Sequence, residues 1–563
     1  MASDTADHAP SRLSRAVPIL GWLPSYRRAW LGRDAIAGVI VVCLLVPEGM
    51  AYAQIAGMPP QTAFYVAPPA LLLYAIFASS RKLVVVVSAT QAALSAGAVA
   101  ALATAGTPQY AELTAALALL VGLLTVLAGL FRLGVVARFF SPSVLVGFVT
   151  GLALVISIKQ VPKVLGIEAG AGDFWERLWD ILVHLGDVHG TTLLVGLLTI
   201  AVMVAVERVA HRLPAALVAL VLGIVISRAF DLADRGVEVI EEIPAGLAGP
   251  QIPDVTLAEL SLLLASAIGI ALVNFAEANS MAREFAQRDG VKLDADQELV
   301  GLGAANVGAG LFQGFTIGAS LSKSAAAYGA GMQTQMAGVV AAGLTALVAL
   351  FFTDLFEGLP EATLGGIVIV AVSGMVKAER IRELYTLRKA DFVLALAATL
   401  AVLSLETLAA LAAAVALSIV LLVVRAAKAP LRRLGRLPGG GFGDLERNPE
   451  ARAHPTALVV RPEAELFFAN AESVAEDLYA AATEGEPPAR AVVLDLELTE
   501  DLDVPAAEAL LLLATRLADS GIPLALARVH GPAAEMLERV GVVEAVGRDR
   551  VGGRVEDAVR ALE

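Results

Sequence analysis

Gly318-Ala319-Ser320-Leu321-Ser322-Lys323-Ser324 lies between two apolar runs, Val300–Phe315 and Met336–Phe352. Three serines and a lysine are costly at membrane depth unless they face a water-filled or protein-lined cavity. Small residues let the backbone come close to whatever occupies that cavity. The stretch reads as a broken membrane span aimed at a buried polar ligand, and the lysine favours a negative one.

The rest of the chain supports a membrane setting. Of 563 residues, 57% are hydrophobic and 17% charged, and the mean hydropathy is +0.73. These values fit a polytopic membrane protein. Apolar segments recur from about residue 36 to about residue 424, and the sequence after Arg425 turns charged and proline-containing. The organisation expected is a cytoplasmic N-terminal segment (1–33), a transmembrane domain (34–426), a linker (427–454) and a soluble domain (455–563). Arg436–Gly443, rich in glycine, is the clearest linker stretch.

Several function classes drop out. Cys43 is the only cysteine, so neither an intrachain disulfide nor a cysteine metal site is expected. The six histidines, His8, His184, His189, His211, His454 and His530, are scattered, and His184 and His189 read as loop residues. A net charge of −14 argues against nucleic acid. No phosphate-binding loop, nucleophile–base pair or metal cluster is recognisable, so neither an enzyme nor a cofactor is expected. No secretory signal peptide is evident.

A spanning helix needs about 20 apolar residues. Full-length candidates fall near 34–56, 62–79, 112–131, 141–162, 190–210, 213–229, 259–283, 296–312, 332–352, 362–378, 390–405 and 407–425. Two shorter, polar-tinged segments lie near 88–104 and 318–329. The fourteen divide into halves of seven, 34–229 and 259–426. Basic loops orient them. Arg27, Arg28 and Arg33, then Arg81 and Lys82, Arg132 and Arg138, Arg208 and Arg212, Arg283 and Lys292, and Lys377–Lys389 all fall on one side. The opposite loops carry Asp231, Glu238, Asp354 and Glu361. Both termini are expected to be cytoplasmic, in a cell (inner) membrane.

The halves share irregularities. Val46-Pro47-Glu48-Gly49-Met50-Ala51 places a proline and an acid inside the first span, and Glu277 sits inside the eighth. The third and tenth spans are both short and polar at their starts, from Ser88-Ala89-Thr90-Gln91 and from Gly318. Seven spans is an odd number, so the second half enters upside down relative to the first. Paired interrupted segments are the pointer to a transporter's midplane site. Two half-helices that face each other present free N–H groups and positive dipole ends, which bind an anion.

Individual residues have functional and plain readings. Glu277 is a proton-coupling acid, a partner of Lys323, or a structural acid bonded to backbone. Met281, one turn on, is a poor ligand for hard cations, which favours protons over sodium. Glu48 follows Pro47 and either lines the site or stabilises a kink. Tyr52, one turn further, is a pocket wall or a packed aromatic. Lys323 either belongs to the pocket or snorkels to the interface. Gly301, Gly303, Gly308 and Gly310 read as close helix-packing positions.

Val46–Ala53 resembles the first-span signature of the sulfate permease (SulP) family, the solute carriers that include prestin. The resemblance continues through Phe140–Phe148, Ile243–Leu247, Gln297–Asn306, Ser322–Ala325 and Leu466–Glu472. It implies a seven-plus-seven inverted repeat, as in uracil-permease-like transporters, with a core domain moving against a gate domain. It implies that Glu48, Tyr52, Ser88, Ala89, Ser320, Leu321, Ser322 and Lys323 line the substrate, with Glu277 as the coupling acid. It further implies a homodimer. Many members have arginine at Lys323, glutamine at Glu48 and proline near Val87. Lysine keeps the charge but lacks arginine's planar fork. Sulfate, bicarbonate, chloride and small dicarboxylates are carried within the family.

The C-terminal region alternates strands (Thr456–Val460, Glu465–Phe468, Ala491–Leu496, Pro523–Ala527) with helices (Ala471–Ala482, Pro505–Asp519, Pro532–Val540). This α/β pattern resembles the STAS domain of the same family, with Asp503 as a helix cap. In related anti-sigma-factor antagonists a phosphorylatable serine or threonine follows that aspartate; here it is Val504, so no phospho-switch is expected there. The function expected is proton-coupled symport of a small inorganic or carboxylate anion by elevator-like alternating access. The alternatives are an anion channel or exchanger, a sodium-coupled bicarbonate symporter, or a membrane-tethered sensor.

Overall fold

The structure, a computed structural model, describes residues 12–134, 142–168, 170, 172–210, 213–405, 407–485 and 488–563. His8, Arg138, Phe140, Ser141, His211 and Arg212 lie outside the described residues. The chain forms two compact units, Met1–Ser418 and Ile419–Glu563.

A helix lies on each of the fourteen candidate segments. The first half holds α1 (Leu31–Ile55), α2 (Thr62–Phe77), α3 (Ala89–Val99), α4 (Pro108–Leu130), α5 (Pro142–Leu165), α6 (Gly190–Val209) and α7 (Ala215–Phe230). The second holds α8 (Leu257–Asp289), α9 (Ala295–Leu311), α10 (Leu321–Gly329), α11 (Met336–Phe351), α12 (Glu361–Ser373), α13 (Lys389–Ser404) and α14 (Thr407–Ala427). Among the described residues, six segments are long and apolar enough to cross a bilayer by length and composition: α1, α4, α5, α6, α8 and Glu361–Leu387, which begins with α12.

The contacts repeat when the halves are exchanged. α9 packs on α4 as α2 packs on α11. α1 meets α10 and α11 as α8 meets α3 and α4. α5 lies on α13 as α12 lies on α6, while α2–α9 and α5–α12 are their own counterparts. Helix i of one half therefore plays the part of helix i+7 in the other, as the inverted repeat requires.

The two odd helices are short for a physical reason. α3 has 11 residues and α10 has nine. At 1.5 Å per residue they reach about 16 Å and 14 Å, half of a core about 30 Å thick. Each is preceded by a short strand, β1 (Val85–Val86) or β2 (Gly318–Ala319). These pair antiparallel, Val85 with Ala319 and Val86 with Gly318. The pairing satisfies backbone groups that a bilayer would leave unbonded. Helix α10 therefore starts at Leu321, three residues later than the expected tenth span.

The glycines of α9 serve two neighbours. A Cβ on Gly303 would lie 2.6 Å from Val126 N of α4, and one on Gly310 would lie 2.7 Å from Ala115 O of the same helix. A Cβ on Gly301 would strike Ala78 at 2.5 Å, and one on Gly308 would strike Leu73 at 2.7 Å. The seven-residue spacing repeats two faces, one on α4 and one towards α2, which is the close-packing role read from the sequence.

The second unit is an α/β fold. Its six strands are β3 (Leu431–Arg436), β4 (Phe442–Asp444), β5 (Arg452–Ala453), β6 (Ala457–Pro462), β7 (Ala491–Asp495) and β8 (Leu524–Ala527), in the order β4-β3-β6-β7-β8, with β5 also on β3. β6, β7 and β8 are parallel, and β3 joins β6 antiparallel. Apolar clusters cover both faces, with α15 (Ala471–Thr483), α16 (Val504–Asp519) and α17 (Gly531–Val540) contributing to one. Two expectations are corrected here. The supposed linker 427–454 contains β3, β4 and β5; Leu434 joins the apolar cluster on one face of the sheet and Leu431 packs against the cluster on the other. Glu465–Phe468 is not a strand; Phe467 N is bonded by Asn470 Oδ1 in a turn that opens α15.

Candidate functional site

The strand pair brings the N-termini of α3 and α10 together. Ser88 caps α3, its hydroxyl accepting from Gln91 N at 3.4 Å. Ser320 caps α10, accepting from Lys323 N at 3.5 Å, and its Oγ lies 3.3 Å from Ser322 Oγ. Ser320 N donates to Val84 O at 3.0 Å and Val84 N donates to Ser324 Oγ at 2.9 Å, which locks the two half-helices in register. Ala89 and Leu321 are the first residues of their helices. Ala89 is buried, whereas Leu321 and Ser322 are exposed.

Helix α1 closes this point from the side. Pro47 lies inside the helix, and Glu48 follows it, buried. Glu48 Oε2 meets Lys323 Nζ at 2.5 Å and accepts from Tyr52 Oη at 3.2 Å. The Lys323 ammonium also lies 5.3 Å from the centroid of the Tyr52 ring, a cation–π contact. Lys323 is 0% exposed, so it does not snorkel. Its charge is compensated in place, as a buried cation requires.

Glu277 is not the partner of Lys323. It is half-buried on α8, with the Thr90 side chain of α3 as its hydrogen-bonding neighbour. Glu48, one residue beyond Pro47, reaches the lysine instead. The structure thus joins Glu48, Tyr52, Ser320, Ser322 and Lys323 directly. Ser88 and Ala89 join through the opposed half-helix, and Glu277 stands next to it through Thr90.

A polar scaffold behind the strands was only partly visible in the sequence. Asn306 Nδ2 donates to Ile317 O and its Oδ1 accepts from Ile317 N, both at 3.0 Å. Asn274 Nδ2 donates to the same Ile317 O at 2.7 Å, and Thr316 Oγ1 donates to Gln91 O at 3.0 Å. A Cβ on Gly318 would lie 2.6 Å from Asn274 Oδ1, so only glycine lets the strand pass. Lone amides such as Asn274 and Asn306 in apolar helices are the signal that finds this scaffold. A second missed group ties the helix sets. Lys163 Nζ of α5 donates to Gln54 Oε1 of α1 at 2.9 Å and pairs with Glu361 Oε2 of α12 at 2.9 Å.

Fold and site define a polytopic membrane protein with paired half-helices meeting beside a buried cation, followed by an α/β domain. The profile of the sulfate permease family matches residues 31–398, and that of the STAS domain matches residues 448–558. The chain belongs to the sulfate permease family. It is 34% identical to a probable sulfate transporter of Mycobacterium tuberculosis over 96% of this chain and 98% of that one. It is 30% identical to the probable sulfate transporter 4.2 of Arabidopsis thaliana, over 96% and 83% of the two chains. Two solved structures share the fold. The murine solute carrier 26 member A9 anion transporter, in an inward-facing state, matches with a TM-score of 0.89 at 22% identity, over 100% of this chain and 96% of that one. The transmembrane domain of a cyanobacterial bicarbonate transporter matches with 0.63 at 22% identity, over 68% of this chain and 98% of that one.

Proposed function

We propose that the protein is a secondary active transporter that carries a small anion, of the sulfate, bicarbonate or C4-dicarboxylate class, together with protons. The observation that carries this reading is the Glu48–Lys323 pair at the meeting point of two helix N-termini. The helix ends and the lysine supply positive potential to an anion. The carboxylate of Glu48 occupies that lysine, so an incoming anion competes with an internal one. Tyr52, Ser88, Ala89, Ser320, Leu321 and Ser322 form the walls. The names of relatives, sulfate transporters among them, and of the bicarbonate transporter support the anion class.

Protons enter through Glu277. A carboxylate without a cation partner at membrane depth is expensive when charged and readily carries a proton. Met281 stands one turn away where a sodium site would need an oxygen. The Gln54–Lys163–Glu361 bridge ties α1 to α5 and α12, and it must part if α1 and the half-helices move as one body in alternating access. Both termini are cytoplasmic in this reading, in a cell (inner) membrane, and the protein is a homodimer.

The test is uptake of labelled sulfate, bicarbonate and fumarate into liposomes under an inward proton or sodium gradient. Uptake of one of them driven by protons alone is expected. Uptake that requires sodium would overturn the proton assignment, and non-saturating flux would favour a channel.

A further inference from the structure

A cavity of about 710 Å³ opens at the other end of the same helices, away from Glu48 and Lys323. Three loops form it: the Ser79–Lys82 turn after α2, the Asp289–Leu293 stretch after α8, and the Gly331–Gln333 turn after α10. Its volume is that of a small-molecule site.

The charges in it are mostly positive and incompletely compensated. Arg81, Lys82 and Lys292 line it, with Asp289 as the single acid among the lining residues. Lys82 is a structural cation. Its Nζ donates to Met332 O, lies 3.7 Å from Asp289 Oδ2 and sits 5.5 Å from the centroid of the Tyr328 ring. Tyr328 Oη also donates to Asp289 at 2.9 Å, so this acid is already committed. Arg81 and Lys292 are exposed and make no ion pair among the described residues. Burial pulls the Lys82 ammonium below the ordinary lysine range, with Asp289 opposing it; an added anion there would relieve that cost.

The cavity is continuous with surface suited to lipid. Trp30 forms part of its wall and stacks edge to face on Tyr26, whose ring also meets Trp22. Tyr26 and Trp30, both half-buried just before the first span, follow the pattern of an interfacial anchor, while Trp22 is buried behind them. Directly beyond it, α1 exposes Leu31, Ile36 and Val39 at 52%, 58% and 47%. An acyl chain lying along these residues would place its headgroup over Arg81 and Lys292.

We propose that this cavity binds the phosphate headgroup of an acidic phospholipid from the leaflet on the Arg81 side. The site shares α8 with Glu277 and α10 with Lys323, so the bound lipid braces the loops that end both helices.

The experiment uses the full chain in nanodiscs of phosphatidylcholine with or without phosphatidylglycerol, reading retained lipid by native mass spectrometry after detergent exchange. The wild type is expected to retain phosphatidylglycerol over phosphatidylcholine. A basic residue near the surface contributes about 1 kcal/mol to such binding, so Arg81→Gln with Lys292→Gln should weaken it about 30-fold. Arg81→Lys with Lys292→Arg, which keeps both charges, should retain it and so exclude misfolding as the cause. Undiminished retention in the glutamine double variant would overturn the proposal. So would displacement of the lipid by soluble glycerol phosphate at equal concentration, which would assign the cavity to a free phosphate ester.

Discussion

Glu48 and Lys323, 275 residues apart, form a buried ion pair at 2.5 Å where two half-helices begin. In the proposed reading the pair makes Glu48 a competitor of the anion that the helix ends attract. Glu48→Gln should therefore tighten anion binding by about tenfold or more, a gain of about 1.4 kcal/mol. Titration calorimetry of the purified variant checks this, and weaker binding would make Glu48 a direct ligand.

Breaking the pair from the other side leaves an uncompensated buried carboxylate. Lys323→Ala should cost about 3–5 kcal/mol of stability. Adding Glu48→Gln should recover much of that loss. Thermal unfolding of the single and double variants in one detergent reads the coupling.

Glu277→Gln should abolish the pH dependence of net uptake while leaving anion exchange intact. Proteoliposome flux with and without a proton gradient separates the two. Unchanged pH dependence in this variant, with loss of it in Glu48→Gln, would move the proton to Glu48.

The Gln54–Lys163–Glu361 bridge should hold one end of the pathway shut. In a Cys43→Ser background carrying Ser88→Cys, Lys163→Ala should speed maleimide labelling several-fold from the Glu361 side. An unchanged rate would show that the bridge does not gate access.

Gly303→Leu should prevent folding, because its Cβ alone already meets Val126 N at 2.6 Å and overpacking costs about 1–3 kcal/mol or more. Gly343→Ala on α11 has nothing within 4 Å and should be neutral or stabilising by up to about 1 kcal/mol. Yield and unfolding temperature distinguish them.

Much of this was legible because the bilayer makes each polar residue informative. A lysine and three serines between apolar runs located the tenth helix, and Pro47-Glu48 located the part of α1 that faces it. The three parallel strands β6, β7 and β8 were visible as short apolar runs, whereas β3, β4 and β5 were not. The partner of Lys323 was not legible, because sequence gives depth along a helix but not which face turns inward. Glu48 and Glu277 sit at comparable depth, and packing of α1 against α10 decides between them. β3 was missed because its arginines and neighbouring glycines resemble a linker until β6 supplies a strand to pair with. The Asn274–Asn306 scaffold escaped because its bonds go to the backbone of Ile317, which carries no side-chain signature.

The most direct measurement is equilibrium binding of the transported anion to wild type, Lys323→Ala and Lys323→Arg in the same detergent. Binding lost in the alanine variant and kept in the arginine variant is the predicted result. Wild-type affinity in Lys323→Ala would contradict the site at the paired half-helices.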